Sequence, residues 1–221
     1  MGLGTGDRNR IAKRAAAEIS DGMLVNLGIG IPSLVPNHLW DDHKVMFHAE
    51  NGLVGMGSTP ETGKEDAHLC NAGGLPITIR AGASYCDSTV AFGMIRRGRV
   101  DITILGALQV SQAGDLANWI VPGKRVPGMG GAMELAAKAK KVIVLMEHND
   151  KAGMSKLVKT CTLPLTAQKC VHMIITELGV FSVTSEGLLL TDVFDTSSIE
   201  EIRNRTEASF TVSENIHKLK E

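Results

Sequence analysis

Between Arg8 and Asp21 apolar residues recur at helical spacing: Ile11, Ala15 and Ile19 form a stripe that Ala12 and Ala16 widen. This predicts an amphipathic helix with a small, smooth face, closed by Gly22. The pattern then changes to short apolar runs: Met23 to Leu27, Val45 to Ala49, Ile77 to Ile79, Asp101 to Gly106 continuing to Val110, Lys141 to Met146, and Val171 to Thr176. Runs of this kind, bounded by glycine or polar residues, predict buried strands. Helices are expected from Ser33 to Leu39, from an Asp87 or Ser88 cap through Ile95, from Ala132 to Lys140, and from a Ser197 or Ser198 cap through Arg205. Gly179 to Asp192 predicts a hairpin around Glu186-Gly187, and residues 211–221 a flexible tail. Strands alternating with helices predict an α/β fold: a mainly parallel open sheet flanked by helices, with an antiparallel hairpin near the C-terminus.

Composition narrows the function classes. The chain has 221 residues, with no repeat, low-complexity stretch or linker-like break, so a single unit over 1–221 is expected. A net charge of −1 provides no basic excess for nucleic-acid binding. Cys70, Cys86, Cys161 and Cys170 are scattered, without a C-x-x-C pair, and read as reduced thiols. Neither a signal segment nor a membrane-length apolar run is visible, so a soluble, cytoplasmic protein is expected.

Three stretches could carry chemistry. In Ala49-Glu50-Asn51-Gly52 a carboxylate sits where a strand breaks into a turn, and Gly55 and Gly57 follow. The carboxyl ends of strands are where open α/β proteins place ligands; an exposed Glu in an ordinary hairpin is the alternative. Gly28-Ile29-Gly30 follows a strand and has the G-x-G of a dinucleotide site, yet Ser33 replaces its third glycine and Pro32 removes an N–H from the loop. A loop whose amides approach a phosphorylated or acyl ligand remains open there. Gly130-Gly131 opens a helix after a segment broken by prolines and glycines; it either offers amide donors for an oxyanion or is a flexible connector. Lys124 and Arg125 are candidate phosphate contacts or solvated surface. His38, His43 and His48 match no ligand pattern, so no metal site is expected, and neither a G-x-S-x-G elbow nor a P-loop lysine is present.

Asn26-Leu27-Gly28-Ile29-Gly30-Ile31-Pro32, Glu50-Asn51-Gly52, Asn71-Ala72-Gly73, Leu116-Ala117-Asn118-Trp119, Val121-Pro122-Gly123-Lys124 and Gly128-Met129-Gly130-Gly131-Ala132-Met133 occur in that order. Together they resemble the family I coenzyme A transferases, specifically the β (B-type) chains of the succinyl-CoA:3-ketoacid and acetate/acetoacetate enzymes, from the first helix to about Phe210. The resemblance implies a fold shared with sugar-phosphate isomerases and a nucleophilic glutamate at Glu50, where Ala49 replaces the family's serine. It implies an oxyanion donor at Gly131, an asparagine near the reacting acyl group at Asn26, and ligand contacts from Gly28, Gly30, Asn51, Gly52, Gly130 and Lys124. It also implies that a separate α (A-type) chain of the CoA transferase completes the site in a hetero-oligomer, with acyl-CoA and carboxylic acids as substrates and no tightly bound cofactor. Transfer from succinyl-CoA to acetoacetate is the expected reaction. The alternatives are an acetate- or butyrate-type transferase, and a non-catalytic sugar-phosphate or CoA-binding domain on the same fold.

Overall fold

The computed structural model describes residues 5–39, 43–123 and 128–220. Its centre is five parallel strands: β1 (Leu24–Leu27), β2 (Met46–Ala49), β5 (Ile102–Gly106), β8 (Lys141–Leu145) and β10 (Met173–Ile175), in the order β10-β8-β5-β1-β2. Antiparallel strands extend both edges. On one side β3 (Leu53–Met56) and β4 (Ile79–Tyr85) follow β2; on the other, β11 (Gly179–Thr184) and β12 (Gly187–Phe194) form the expected hairpin beside β10. A final strand, β13 (Phe210–Leu219), pairs in parallel with β12. The ten-stranded sheet is joined by a small one made of β6 (Gln109–Ser111), β7 (Leu116–Ala117) and β9 (Leu157–Val158).

The central strands are apolar because both of their faces are covered. On β8, Ile143 and Leu145 join one core cluster while Val142 and Val144 join another, as the two-residue period of a strand requires. The first cluster lies under helix α1 (Thr5–Ala16), through Ile11, Ala12 and Ala15. Glu18 fixes that helix laterally, accepting from Arg14 at 2.6 Å and from Lys141 on β8 at 2.7 Å. Across the sheet lie α2 (Ser88–Arg96), α3 (Ala132–Lys138) and α4 (Ile199–Arg205), which bury Ile95, Leu135 and Ile202. Capping follows the sequence: Asp87 accepts from the Thr89 N–H at 2.7 Å, and Ser198 from the Glu201 N–H at 3.1 Å.

Four expectations need correction. The first helix stops at Ala16 and not at Asp21, because the Glu18 and Ile19 N–H groups turn back onto Ala15 and Ala16, three residues away, and tighten the chain into β1. The strand placed over Ile77 to Ile79 runs instead over Ile79–Tyr85. The run after Gly106 does not prolong β5; its residues leave for the small sheet, where Val110 pairs with Leu116 and Leu157. Residues 211–219, expected as a flexible tail, belong to β13, anchored by Phe210 edge-on to Phe181 with ring centres 5.4 Å apart.

Candidate active site

From β1 the chain passes to β2 on one side and later to β5, β8 and β10 on the other, so the strand order reverses between β1 and β5. Ligands of open α/β sheets bind at the carboxyl ends of the strands beside such a reversal. There β1, β2 and β5 break their apolar pattern in the same way. Val25, Leu27, Phe47, Ala49, Ile102 and Ile104 belong to the core under α1, which turns the alternate residues Asn26, His48 and Thr103 toward the opposite face. The parallel register sets these three side by side, Asn26 opposite His48 on one flank and Thr103 on the other. All three are fully buried.

Burial on this scale demands hydrogen bonds. The Thr103 hydroxyl donates to Asn26 Oδ1 at 3.4 Å. Asn26 Nδ2 lies 3.2 Å from both the His48 carbonyl and His48 Nδ1, and donates to Glu50 Oε2 at 3.1 Å. A carboxylate only accepts, so the amide end facing it is the NH2 group, and His48 Nδ1 must accept as well. The ring proton then sits on Nε2, which donates to the Ala91 carbonyl of α2 at 3.2 Å. Burial pushes the imidazole pKa below its ordinary value; the Ala91 carbonyl and the Glu50 charge oppose this and do not overcome it. His48 is therefore a neutral acceptor.

Glu50 follows the last residue of β2 and is half-buried. The turn after it is closed by the Gly52 N–H to the Ala49 carbonyl at 3.0 Å, and it is docked by the Cys86 N–H to the Gly52 carbonyl at 2.9 Å. Gly52 has φ 118°, and a Cβ there would stand 2.1 Å from the Cys86 carbonyl oxygen, so only glycine fits. On the other side of the carboxylate Gly131 caps α3; a Cβ on it would touch Glu50 Cγ, Glu50 Oε1 and Phe92 Cζ, each at 3.4 Å. Arg96 braces this wall, linking α2 to α3 through a two-pronged pair with Glu134 at 2.7 and 2.8 Å.

The expected residues thus divide. Glu50, Asn26 and Gly131 converge. Gly130, with φ 54°, sets the chain direction into Gly131. Gly28 gives its N–H to the Ile104 carbonyl at 2.8 Å, which makes it a joint between β1 and β5. Gly30, with φ 89°, has open space where a side chain would be, and its carbonyl accepts from Ser33. Asn51 donates instead to the Cys70 carbonyl at 3.0 Å. Lys124 and Arg125 lie outside the described residues. Sequence reasoning misses His48, Thr103 and Phe92 as site residues; the signal for the first two is a single polar residue at the same phase of an apolar strand. Among the described residues no cluster of three or more His, Cys, Asp or Glu could hold a metal, and no helix is long and apolar enough to cross a membrane.

The mainly parallel α/β sheet thus places one carboxylate at a strand end between an amide donor and bare backbone, an arrangement of the kind suited to a nucleophile that attacks an acyl group. Residues 8–204 match the coenzyme A transferase family, to which the chain belongs. The beta chain of a probable coenzyme A transferase of Bacillus subtilis is 62% identical over 96% of this chain and 98% of its own length. The B chain of a probable succinyl-CoA:3-ketoacid coenzyme A transferase of the same organism is 54% identical over 95% and 97%. The beta chain of the acetate CoA-transferase of Escherichia coli K12 is 45% identical over 95% and 96%. Among solved structures, the acyl-CoA transferase YdiF of E. coli O157:H7, in its thioester complex with CoA, superposes with a TM-score of 0.76 at 20% identity over 96% of this chain. This chain spans 43% of that one. The decarboxylase AibA/AibB superposes with a TM-score of 0.71 at 22% identity, over 96% of this chain and 88% of that one. At such identities the likeness concerns the fold alone.

Proposed function

We propose that this chain is the β component of a CoA transferase that moves CoA from an acyl-CoA to a carboxylic acid through covalent intermediates on Glu50. One observation carries the reading: the Glu50 carboxylate stands 3.1 Å from the Asn26 amide, with the Cβ-free edge of Gly131 against its other face. Glu50 attacks the thioester carbonyl and expels CoA thiolate, leaving a mixed anhydride. The thiolate attacks the glutamyl carbonyl, the first acid departs as its carboxylate, and a glutamyl-CoA thioester remains. The second acid then attacks that thioester, and the returning thiolate takes the new acyl group. Every stage passes through a tetrahedral oxyanion, which amide donors beside the carboxylate stabilise. The Asn26 N–H is one such donor, and the Gly131 backbone is the second. Binding of the distant part of CoA supplies the energy to desolvate and align a weak nucleophile.

The names of the relatives support succinyl-CoA as donor and a 3-oxoacid such as acetoacetate as acceptor; the E. coli relative supports acetate as a second acceptor class. Their designation as B or beta chains supports a separate α partner that covers the half-exposed side of Glu50. The test is mass spectrometry of the chain co-expressed with that partner and exposed to acyl-CoA. The expected result is CoA mass on the peptide containing Glu50 and no turnover in Glu50→Ala. An adduct elsewhere, or turnover surviving the substitution, overturns the reading.

A further inference from the structure

We propose that His48 is a positioning residue that holds the Asn26 amide on Glu50 through the stages in which Glu50 no longer carries its charge. The inference rests on the function proposed above.

Asn26 Nδ2 has two protons and three acceptors within reach: Glu50 Oε2 at 3.1 Å, and the carbonyl and Nδ1 of His48, each at 3.2 Å. Two protons cannot serve three acceptors singly, so the two acceptors that belong to His48 share one proton in a three-centre bond while the other proton points at Glu50. A free carboxylate helps to align that second N–H through its own charge. Once Glu50 becomes an anhydride or a thioester, the charge is gone and this self-alignment weakens. The donor is then needed most, because thiolate or acceptor acid attacking the glutamyl carbonyl places new negative charge on the Glu50 oxygen.

His48 does not change during these steps. Its ring is anchored by the Nε2 proton on the Ala91 carbonyl and is fully buried. The Thr103 hydroxyl donates to Asn26 Oδ1 at 3.4 Å, a long hydrogen bond that holds the amide plane only weakly. His48 Nδ1 is fixed as an acceptor for as long as Nε2 carries the proton. By hydrogen bonding, the imidazole thus reaches Glu50 through Asn26.

The test compares His48→Leu, His48→Asn, Asn26→Ala and the Asn26→Ala/His48→Leu double variant, each co-expressed with the α partner. His48→Leu is expected to lower kcat by roughly ten- to a hundredfold, the loss of one aligned hydrogen bond to a developing charge, with KM for acyl-CoA little changed. His48→Asn, which can return an acceptor near the Nδ1 position, is expected to recover most of that loss. Because the effect passes through Asn26, adding His48→Leu to Asn26→Ala costs less than about a further twofold. Losses that multiply in the double variant overturn the proposal, as does a His48→Leu variant that only melts earlier, or one that His48→Asn does not improve. If His48→Leu fails to fold, nitrogen-15 NMR of the wild-type histidines decides: a buried imidazole protonated on Nε2 with Nδ1 bare supports the proposal, and protonation on Nδ1 overturns it. An active Glu50→Gln variant would remove the parent reading itself; an inactive Glu50→Gln beside a flat His48 series removes this inference alone.

Discussion

Gly131→Ala separates folding from chemistry at this site. The Gly131 backbone has φ −79° and ψ −3°, a right-handed conformation that alanine adopts without strain. The added methyl would meet three atoms at 3.4 Å, the close end of ordinary van der Waals contact. Replacing glycine by alanine at a permitted conformation also restricts the unfolded chain, which favours the folded state by roughly 0.4–1 kcal/mol and offsets mild crowding. The melting temperature should therefore stay within about 3 °C of wild type, since 1 kcal/mol moves a domain of this size by about 2–4 °C. Catalysis should not survive in the same way. Two of the three contacts are with Glu50 itself, Cγ and Oε1, so on the proposed mechanism the methyl enters the space that an acyl group or CoA sulfur needs at the carboxyl. The loss expected is that of a displaced oxyanion donor, about 10²–10³ in kcat, or about 3–4 kcal/mol. The assay is steady-state CoA transfer with the α partner present, normalised to folded protein by calorimetry. A Gly131→Ala enzyme within about threefold of wild type would refute the placement of Gly131 at the reacting atoms, and a melting point lower by about 6 °C or more would refute the packing argument.

Gly52→Ala should act oppositely, through stability: a left-handed φ of 118° and a Cβ driven to 2.1 Å from the Cys86 carbonyl should cost about 3 kcal/mol or more, read as a lower urea midpoint. A midpoint unchanged from wild type would show that the turn relaxes freely. His148 makes acid stability testable. It is fully buried, its two ring nitrogens lie 3.1 Å from Thr176 Oγ1 and 2.8 Å from Thr206 Oγ1, and burial, followed by the Arg205 charge, lowers its pKa to about 3. The unfolded imidazole takes its proton near pH 6.5 while the folded one stays neutral, so the unfolded state binds more protons between those values. Its stabilising contribution is complete above about pH 6.5 and is lost as pH falls toward 3, reaching about 2 kcal/mol by pH 5. Urea unfolding at pH 7 and pH 5 should show that wild type loses this much more than His148→Gln, and equal losses would count against the assignment.

Much of this molecule is legible in its sequence because the physics that places it is local. The two-faced apolar strands β5 and β8, the caps Asp87 and Ser198 and the hairpin at Gly187 follow from neighbouring residues alone. Glu50 and Gly131 are recognisable by motif, while their contact, between residues far apart in sequence, is visible only in the fold. His48 and Thr103 escape a sequence reading because a lone polar residue in an apolar strand means nothing until strand order and register bring several such residues to one place. β13 is misjudged for the converse reason: its charged, weakly alternating sequence is stabilised by β12 and by Phe181, both remote along the chain.

The polar row Thr103-Asn26-His48 has one more consequence, for how the chain finds its fold. Parallel strands of uniform aliphatic side chains can slide past one another at little cost, because every register buries hydrocarbon against hydrocarbon. A slip of one residue between β1 and either neighbour would set Val25 or Leu27 opposite His48 or Thr103 and strand buried polar groups without partners, at about 1–3 kcal/mol each. The groups that hold the Glu50 carboxylate therefore also act as a key for assembly: a correctly threaded sheet and the polar arrangement around Glu50 are formed by the same hydrogen bonds, and a misthreaded chain is marked as unstable.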